Sequence, residues 1–314
     1  VFENKDLVPL LFGERNAHIS YIEKKLGLVI HDRGNELTLS GPPSSVLQGE
    51  RILHALWSKL QKKQDVGIAE IDAELRFFDA AGQSAKPSNG YASAVDEKAS
   101  IHTKKKLIMP RSPNQAKYID AIRNNPMVFG LGSAGTGKTY LAVALGVSMF
   151  AEGLVERLIF TRPAVEAGER LGFLPGDMKE KVDPYLRPIY DALQDMMPWD
   201  VVVKKMEVGE IEVAPLAFMR GRTLSNAFVI LDEAQNTTAT QMKMFLTRMG
   251  ESSRMVVTGD LSQTDLPRHE KSGLRDAVET LEGIQEIKFM YFGKEDVIRH
   301  PLVGKIVEAY DRKS

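Results

Sequence analysis

From Leu107 onward, short apolar runs alternate with longer stretches whose apolar residues recur at helical spacing. The runs are continuously apolar rather than alternating with polar residues, which is the signature of strands buried on both faces. Strands are expected at Met127–Leu131, Arg157–Phe160, Ala227–Asp232, Met255–Thr258 and Ile287–Tyr291. Helices are expected over Lys138–Ala151, near Asp183–Met197, and over Thr238–Met249, Leu274–Leu281 and Leu302–Tyr310. This is the βαβ pattern of a mostly parallel sheet with helices on both faces, an α/β fold.

Upstream the pattern changes. In the first 79 residues, a glycine turn at Gly13 opens a helix with apolar residues at Ile19, Ile22 and Leu26. A strand over Leu28–Asp32, a tight Arg33-Gly34-Asn35 turn and a second strand over Glu36–Gly41 follow. The stretch 80–106 opens on twenty residues rich in Ala, Ser, Gly and Lys with almost no large apolar residue, and closes on the basic triplet Lys104–Lys106. Such a composition cannot bury a core and reads as a flexible linker. Three regions result: a small α/β domain at 1–79, a linker at 80–106 and a large domain at 107–314. No period of 20–50 residues repeats, which argues against solenoids and propellers.

Composition narrows the function classes. Charge is balanced, 41 basic against 42 acidic residues, so any attraction to a polyanion must come from a local basic patch. Cysteine is absent, which excludes disulfides, thiol catalysis and cysteine-held zinc. The six histidines are scattered without an HExxH pair. No apolar run approaches the roughly 20 residues that cross a bilayer. Glu3, Lys5, Asp6, Glu14 and Arg15 leave no signal-peptide apolar stretch, so no membrane association and a cytoplasmic location are expected.

Chemistry concentrates at the ends of the expected strands. Gly132-Ser133-Ala134-Gly135-Thr136-Gly137-Lys138-Thr139 fits G-x-x-x-x-G-K-[ST] at every position, with a strand entering and a helix leaving. Its glycines let consecutive N–H groups turn inward on a phosphate, and the helix N-terminus adds partial positive charge there. Lys138 is expected to reach the β- and γ-phosphates of ATP, and the Thr139 hydroxyl to ligate Mg²⁺. The strand Phe228–Leu231 ends in Asp232 and Glu233, at the carboxyl edge where open α/β sheets bind ligands. Asp232 is expected to hold the Mg²⁺ shell, and Glu233 to orient and deprotonate the attacking water. Read alone, the acidic pair also suits a helix N-terminus; beside the phosphate loop it reads as catalytic. Thr258 and Gln263, around the loop after Met255–Thr258, are candidates to contact the γ-phosphate and the water.

Together the phosphate loop, Asp232-Glu233-Ala234-Gln235 and Thr258–Gln263 resemble the first motor domain of superfamily 1 helicases, and specifically the PhoH family of ATPases. The resemblance continues through Thr161–Gly176, Val182–Tyr190, Gly221–Leu224, Gln241–Arg248 and Val297–Leu302. It implies a RecA-like P-loop NTPase domain that acts on RNA or is regulated by it. In related motors a glutamine upstream of the loop reads adenine, and Gln115 matches. The resemblance also places Thr161–Ala164 where such motors grip single-stranded nucleic acid, with Arg162 either on a phosphate or an ordinary solvated arginine. Arg299 resembles a cis arginine. No second motor domain follows it, so a neighbouring subunit in a ring, a hexamer for preference, is expected to supply another, with Arg220 and Arg222 as candidates.

The helix and hairpin near the N-terminus look like a KH-type RNA-binding unit, although Gly13-Glu14-Arg15-Asn16 lacks the second glycine of GXXG and Glu14 would repel phosphate. A purely structural module fits the same residues. Two functions stay open: an RNA-associated ATPase or helicase, and a nucleotide-gated interaction protein controlling a partner. PhoH-like ATPases are associated with the YbeY-type endoribonuclease and ribosomal RNA maturation, which makes that enzyme the expected partner. A small-molecule kinase would suit the phosphate loop but neither of the two later motifs.

Overall fold

A computed structural model describes residues 1–81, 99–163, 178–267 and 270–298, with Val303 and Ala309; for 81 and 178–185 it describes the backbone alone. Contacts divide the chain into two compact units, residues 1–99 with 109–116, and 100–108 with 117–314.

The first unit begins with α1 (Val8–Phe12), a 3₁₀ turn at Glu14–Asn16 and α2 (Ala17–Leu26). Strands β1 (Val29–Arg33) and β2 (Glu36–Ser40) pair antiparallel, with Arg33 opposite Glu36 across the expected tight turn. Two helices that the apolar pattern left unassigned, α3 (Pro43–Gln61) and α4 (Ile68–Ala81), complete the unit. Ile22, Leu56 and Ile71 from α2, α3 and α4 meet in its core with Leu11 and Ile30. Inside that packing, Lys59 and Glu74 form a 2.8 Å ion pair with both side chains under a tenth exposed. The ladder has two strands.

The second unit opens on β3 (Ile101–His102) and β4 (Leu107–Ile108), a short antiparallel ladder. Strand β3 falls at the end of the stretch read as linker, and β4 opens the expected large domain. Ile101 is fully buried, and the Thr103 hydroxyl closes the turn by donating to the Lys106 carbonyl (2.8 Å). Residues 82–98 lie outside the described residues. Then follow α5 (Pro113–Asn124), whose residues 113–116 count with the first unit, β5 (Met127–Leu131), α6 (Lys138–Ala151), β6 (Arg157–Arg162), α7 (Met178–Met196), α8 (Trp199–Glu207) and β7 (Ile211–Pro215). The chain continues through β8 (Ala227–Leu231), α9 (Ala239–Leu246), β9 (Arg254–Gly259), α10 (Gly273–Leu281) and β10 (Ile287–Tyr291). The expected helix at 302–310 falls outside the described residues apart from Val303 and Ala309.

Six strands form one sheet in the order β10-β5-β9-β8-β6-β7, and every neighbouring pair is parallel. Because successive side chains point to opposite faces, each apolar strand feeds two cores. Val128, Phe160, Phe228, Ile230 and Val256 face one core, shared with α6 and α7. Phe129, Leu131, Ile159, Val229, Leu231 and Val257 face the other, shared with α9 and α10. Full burial of each such side chain is worth roughly 1.5–3 kcal/mol, which is why these strands tolerate no polar alternation. Edge strand β7 carries Glu212 and ends at Pro215, the residues an edge tolerates, and so gave no apolar run to read. Parallel pairing leaves all six carboxyl ends on one edge of the sheet. Among the described residues, no helix is long and apolar enough to cross a membrane.

Candidate active site

Strand β5 delivers the chain to Gly132, whose N–H donates to the Gly259 carbonyl at the end of β9 (3.0 Å). A side chain at Gly132 would fall 2.7 Å from the Phe292 carbonyl, so a backbone running this close demands glycine. Gly135 and Gly137 take left-handed angles, φ 84° and 83°, and Gly137 is the N-cap of α6. The loop then turns back on its own lysine. Lys138 Nζ donates to the carbonyls of Gly132 (2.6 Å) and Ser133 (2.8 Å) and to the Thr136 hydroxyl (3.2 Å). Thr136 in turn donates to the Ser133 carbonyl (2.9 Å). The chain after β10 also reaches this loop, through the Ile298 N–H and the Gly135 carbonyl (2.8 Å).

Two strands away, β8 ends at Leu231 and the Asp232 N–H is held by the Thr161 carbonyl of β6 (2.9 Å). Asp232 is almost wholly buried. Its Oδ1 accepts from the Thr139 hydroxyl (2.6 Å) and from the Thr258 hydroxyl (2.6 Å). Its Oδ2 accepts from Arg162 Nε (2.8 Å) and from Nη2 of the same guanidinium. Arg162 Nη2 also lies 3.6 Å from Glu233 Oε1. Glu233 stands in a left-handed conformation (φ 54°), unusual for a residue with a side chain and a form of local strain that collects at functional sites. Its carboxylate is half-exposed, and Gln235 Nε2 donates to its Oε2 (2.5 Å).

Ala134, Gly135, Gly137, Lys138, Thr139, Asp232, Glu233, Gln235, Asp260 and Gln263 line one cleft of about 270 Å³. Residues 93 apart in sequence thus share a hydrogen bond, Thr139 to Asp232, because β5 and β8 end on the same edge. The oxygens of Thr139 and Asp232 are the hard donors that magnesium takes, so the residues present fit a nucleotide-borne Mg²⁺. Below the sheet edge, burial and the charge of Asp232 both push the Tyr118 phenol well above its ordinary pKa, leaving it a neutral hydroxyl.

Thr258 is fully buried and spends its hydroxyl on Asp232, so of the pair with Gln263 it is the glutamine that lines the cleft. Arg162 turns inward to the carboxylates, its side chain 16% exposed, rather than outward as a solvated arginine would. Arg222 is clasped by both carboxylate oxygens of Glu212 (2.7 and 2.7 Å), which holds its pKa above the ordinary value, whereas Arg220 is exposed. Gln115 falls in the first compact unit, where its Oε1 accepts from the Arg111 N–H (2.7 Å). Arg299 lies outside the described residues, as do residues 164–177 of the extended resemblance.

Reading the sequence missed Gln235 as a site residue. Its amide joins Glu233 to the loop after β9, since its Oε1 accepts from the Asp260 N–H (3.1 Å). A side chain at Gly259 would come within 2.7 Å of that oxygen, so glycine makes room for the link. The available signal was its place in Asp232-Glu233-Ala234-Gln235, one of the motifs that carry the family resemblance.

Residues 107–311 match the family described as PhoH-like protein. The PhoH-like protein of Bacillus subtilis is 46% identical over 99% of this chain and 96% of its own length. That of Mycobacterium tuberculosis is 48% identical over 98% and 86%. Protein PhoH of Escherichia coli K12 is 46% identical over 65% and 58%. Among solved structures, the SWI2/SNF2 ATPase core of Sulfolobus solfataricus in complex with dsDNA aligns with 47% of this chain and 31% of its own. At 16% identity and a TM-score of 0.30 that likeness is too slight to bear on function. With its P-loop nucleotide-binding domain and its identity over nearly the whole chain to the Bacillus and Mycobacterium proteins, the chain belongs to the PhoH-like protein family.

Proposed function

We propose that the protein binds ATP·Mg²⁺ in the cleft at 132–139 and hydrolyses it, as an ATPase associated with RNA. The observation that carries the first part is the 2.6 Å hydrogen bond from Thr139 to Asp232, which joins the phosphate loop and the acidic strand end in one cleft. Lys138 already has its ammonium satisfied by loop carbonyls, and β- and γ-phosphate oxygens would replace them with charge-assisted bonds. The Thr139 hydroxyl, with Asp232 behind it, would hold the nucleotide's magnesium, which supplies charge neutralisation on the phosphates. Glu233 takes a proton from water as its oxygen bonds to the γ-phosphorus and the bond to the β–γ bridging oxygen breaks, leaving ADP and phosphate. Gln263, exposed on the cleft, is placed to contact that water or the γ-phosphate.

The RNA part of the proposal rests on the helicase-like motifs and on the N-terminal helix and hairpin. In that unit the turn before α2 puts Arg15 and Asn16 in left-handed conformations (φ 53° and 61°) with both residues exposed, beside Glu14. A ring of subunits and an endoribonuclease partner of the YbeY type belong to the same proposal. The test is phosphate release by the full chain with and without single-stranded RNA, with Lys138→Ala as the control. We expect turnover raised by RNA, and turnover lower by at least about 10² in Lys138→Ala. Turnover unaffected by Lys138→Ala would overturn the site. Turnover that RNA leaves unchanged would transfer the reading to a nucleotide-gated interaction protein, which a native mass with the partner would then probe.

A further inference from the structure

Asp232 is saturated. An ionised carboxylate offers about four lone-pair sites. Here two on Oδ1 are taken by Thr139 and Thr258, and two on Oδ2 by Nε and Nη2 of Arg162. The proposed function asks the same carboxylate to support a magnesium ion, so one of its partners must yield.

The three donors are not equally able to leave. Thr258 is fully buried within β9. Thr139 opens α6 beside the loop and is itself a proposed ligand. Arg162 stands at the last residue of β6, on a long side chain that is still 16% exposed. Its guanidinium touches both members of the acidic pair, Asp232 directly and Glu233 at 3.6 Å, and supplies the positive charge that those carboxylates need when no metal is near. The register of β6 on β8, with Thr161 opposite Leu231, fixes its backbone one residue from the pair, so the guanidinium can swing away while its anchor stays.

We infer that Arg162 is a positioning residue of the nucleotide site: it is the counter-ion of Asp232 and Glu233 until a magnesium-bearing nucleotide displaces it. This rests on the proposed ATP site and deepens it. Two cations competing for one carboxylate lower each other's apparent affinity, so the resting ion pair raises the magnesium concentration needed to load the site. The contact also keeps Glu233 occupied in the unloaded protein, which ties release of the base to arrival of substrate.

The test is binding of a fluorescent ADP analogue to the full chain across a magnesium titration, for the wild type, Arg162→Gln and Arg162→Lys. In Arg162→Gln the magnesium midpoint is expected to fall by about tenfold, the size of one charge-assisted hydrogen bond. Affinity for the analogue without magnesium does not rise, because the two carboxylates then face the phosphates uncompensated. Arg162→Lys keeps the charge and loses the fork, so its midpoint falls by less. If the glutamine variant does not fold, by circular dichroism, the lysine variant carries the test. A midpoint unchanged or raised in the folded variants overturns the inference. A wild-type chain that binds no nucleotide overturns instead the ATP site on which it rests.

Discussion

Gln235 shows what one buried amide does at this site. It ties the proposed base Glu233 to the backbone of Asp260, in the loop that carries Gln263, and so sets where the carboxylate points. Replacing it by alanine leaves Glu233 free to rotate without touching the phosphate loop. Gln235→Ala is therefore expected to lower kcat by about tenfold, within what loss of a positioning contact costs, while the affinity for ATP stays close to wild type. Steady-state kinetics alongside equilibrium binding separate the two effects, and a loss of affinity with unchanged kcat would contradict the assignment. At this scale the sequence displayed the residues whose chemistry is fixed by type and spacing, Lys138, Thr139, Asp232 and Glu233. It did not display what Arg162 touches, because an arginine after an apolar strand reads equally as solvated or paired. The left-handed φ of Glu233 was equally invisible, since nothing in its letter requires that geometry.

Among the elements, α9 lies directly behind the acidic pair, entered through a 3₁₀ turn at Ala234–Asn236. Its start is fixed by a capping box: the Thr238 hydroxyl accepts from the Gln241 N–H (3.2 Å), and Gln241 Oε1 accepts from the Thr238 N–H (2.9 Å). Thr238→Ala is expected to cost about 1 kcal/mol of stability, read as a lowered denaturation midpoint with an unchanged slope. Stability equal to wild type would mean that tertiary packing alone sets the start of the helix. The apolar period placed this helix over 238–249, and it ends instead at Leu246, after which the Thr247 hydroxyl donates to the Lys243 and Met244 carbonyls (2.9 and 3.0 Å). Strand β6 ran two residues longer than its apolar run, because pairing with β7 carries Thr161 and Arg162 into the ladder whatever their polarity. Helices α3, α4, α5 and α8 gave mixed patterns and went unassigned, each burying only part of its surface.

On the scale of the molecule, a charge of −1 leaves no overall field to draw in a polyanion, so any RNA association must be local. What the architecture supplies is convergence. Parallel strands bring the ends of β5, β8 and β9 to one edge, and three separate sequence segments become one cleft. The order of strands that achieves this was not legible, since β9 inserts between β5 and β8 by a crossover that no local pattern encodes. The central claim is that this cleft hydrolyses ATP with Glu233 as the base. The most direct measurement is ATP binding and phosphate release by Glu233→Gln beside the wild type. ATP affinity is expected near wild type, with phosphate release lower by about 10²–10⁴. Phosphate release at the wild-type rate from a variant that binds ATP equally well would contradict it.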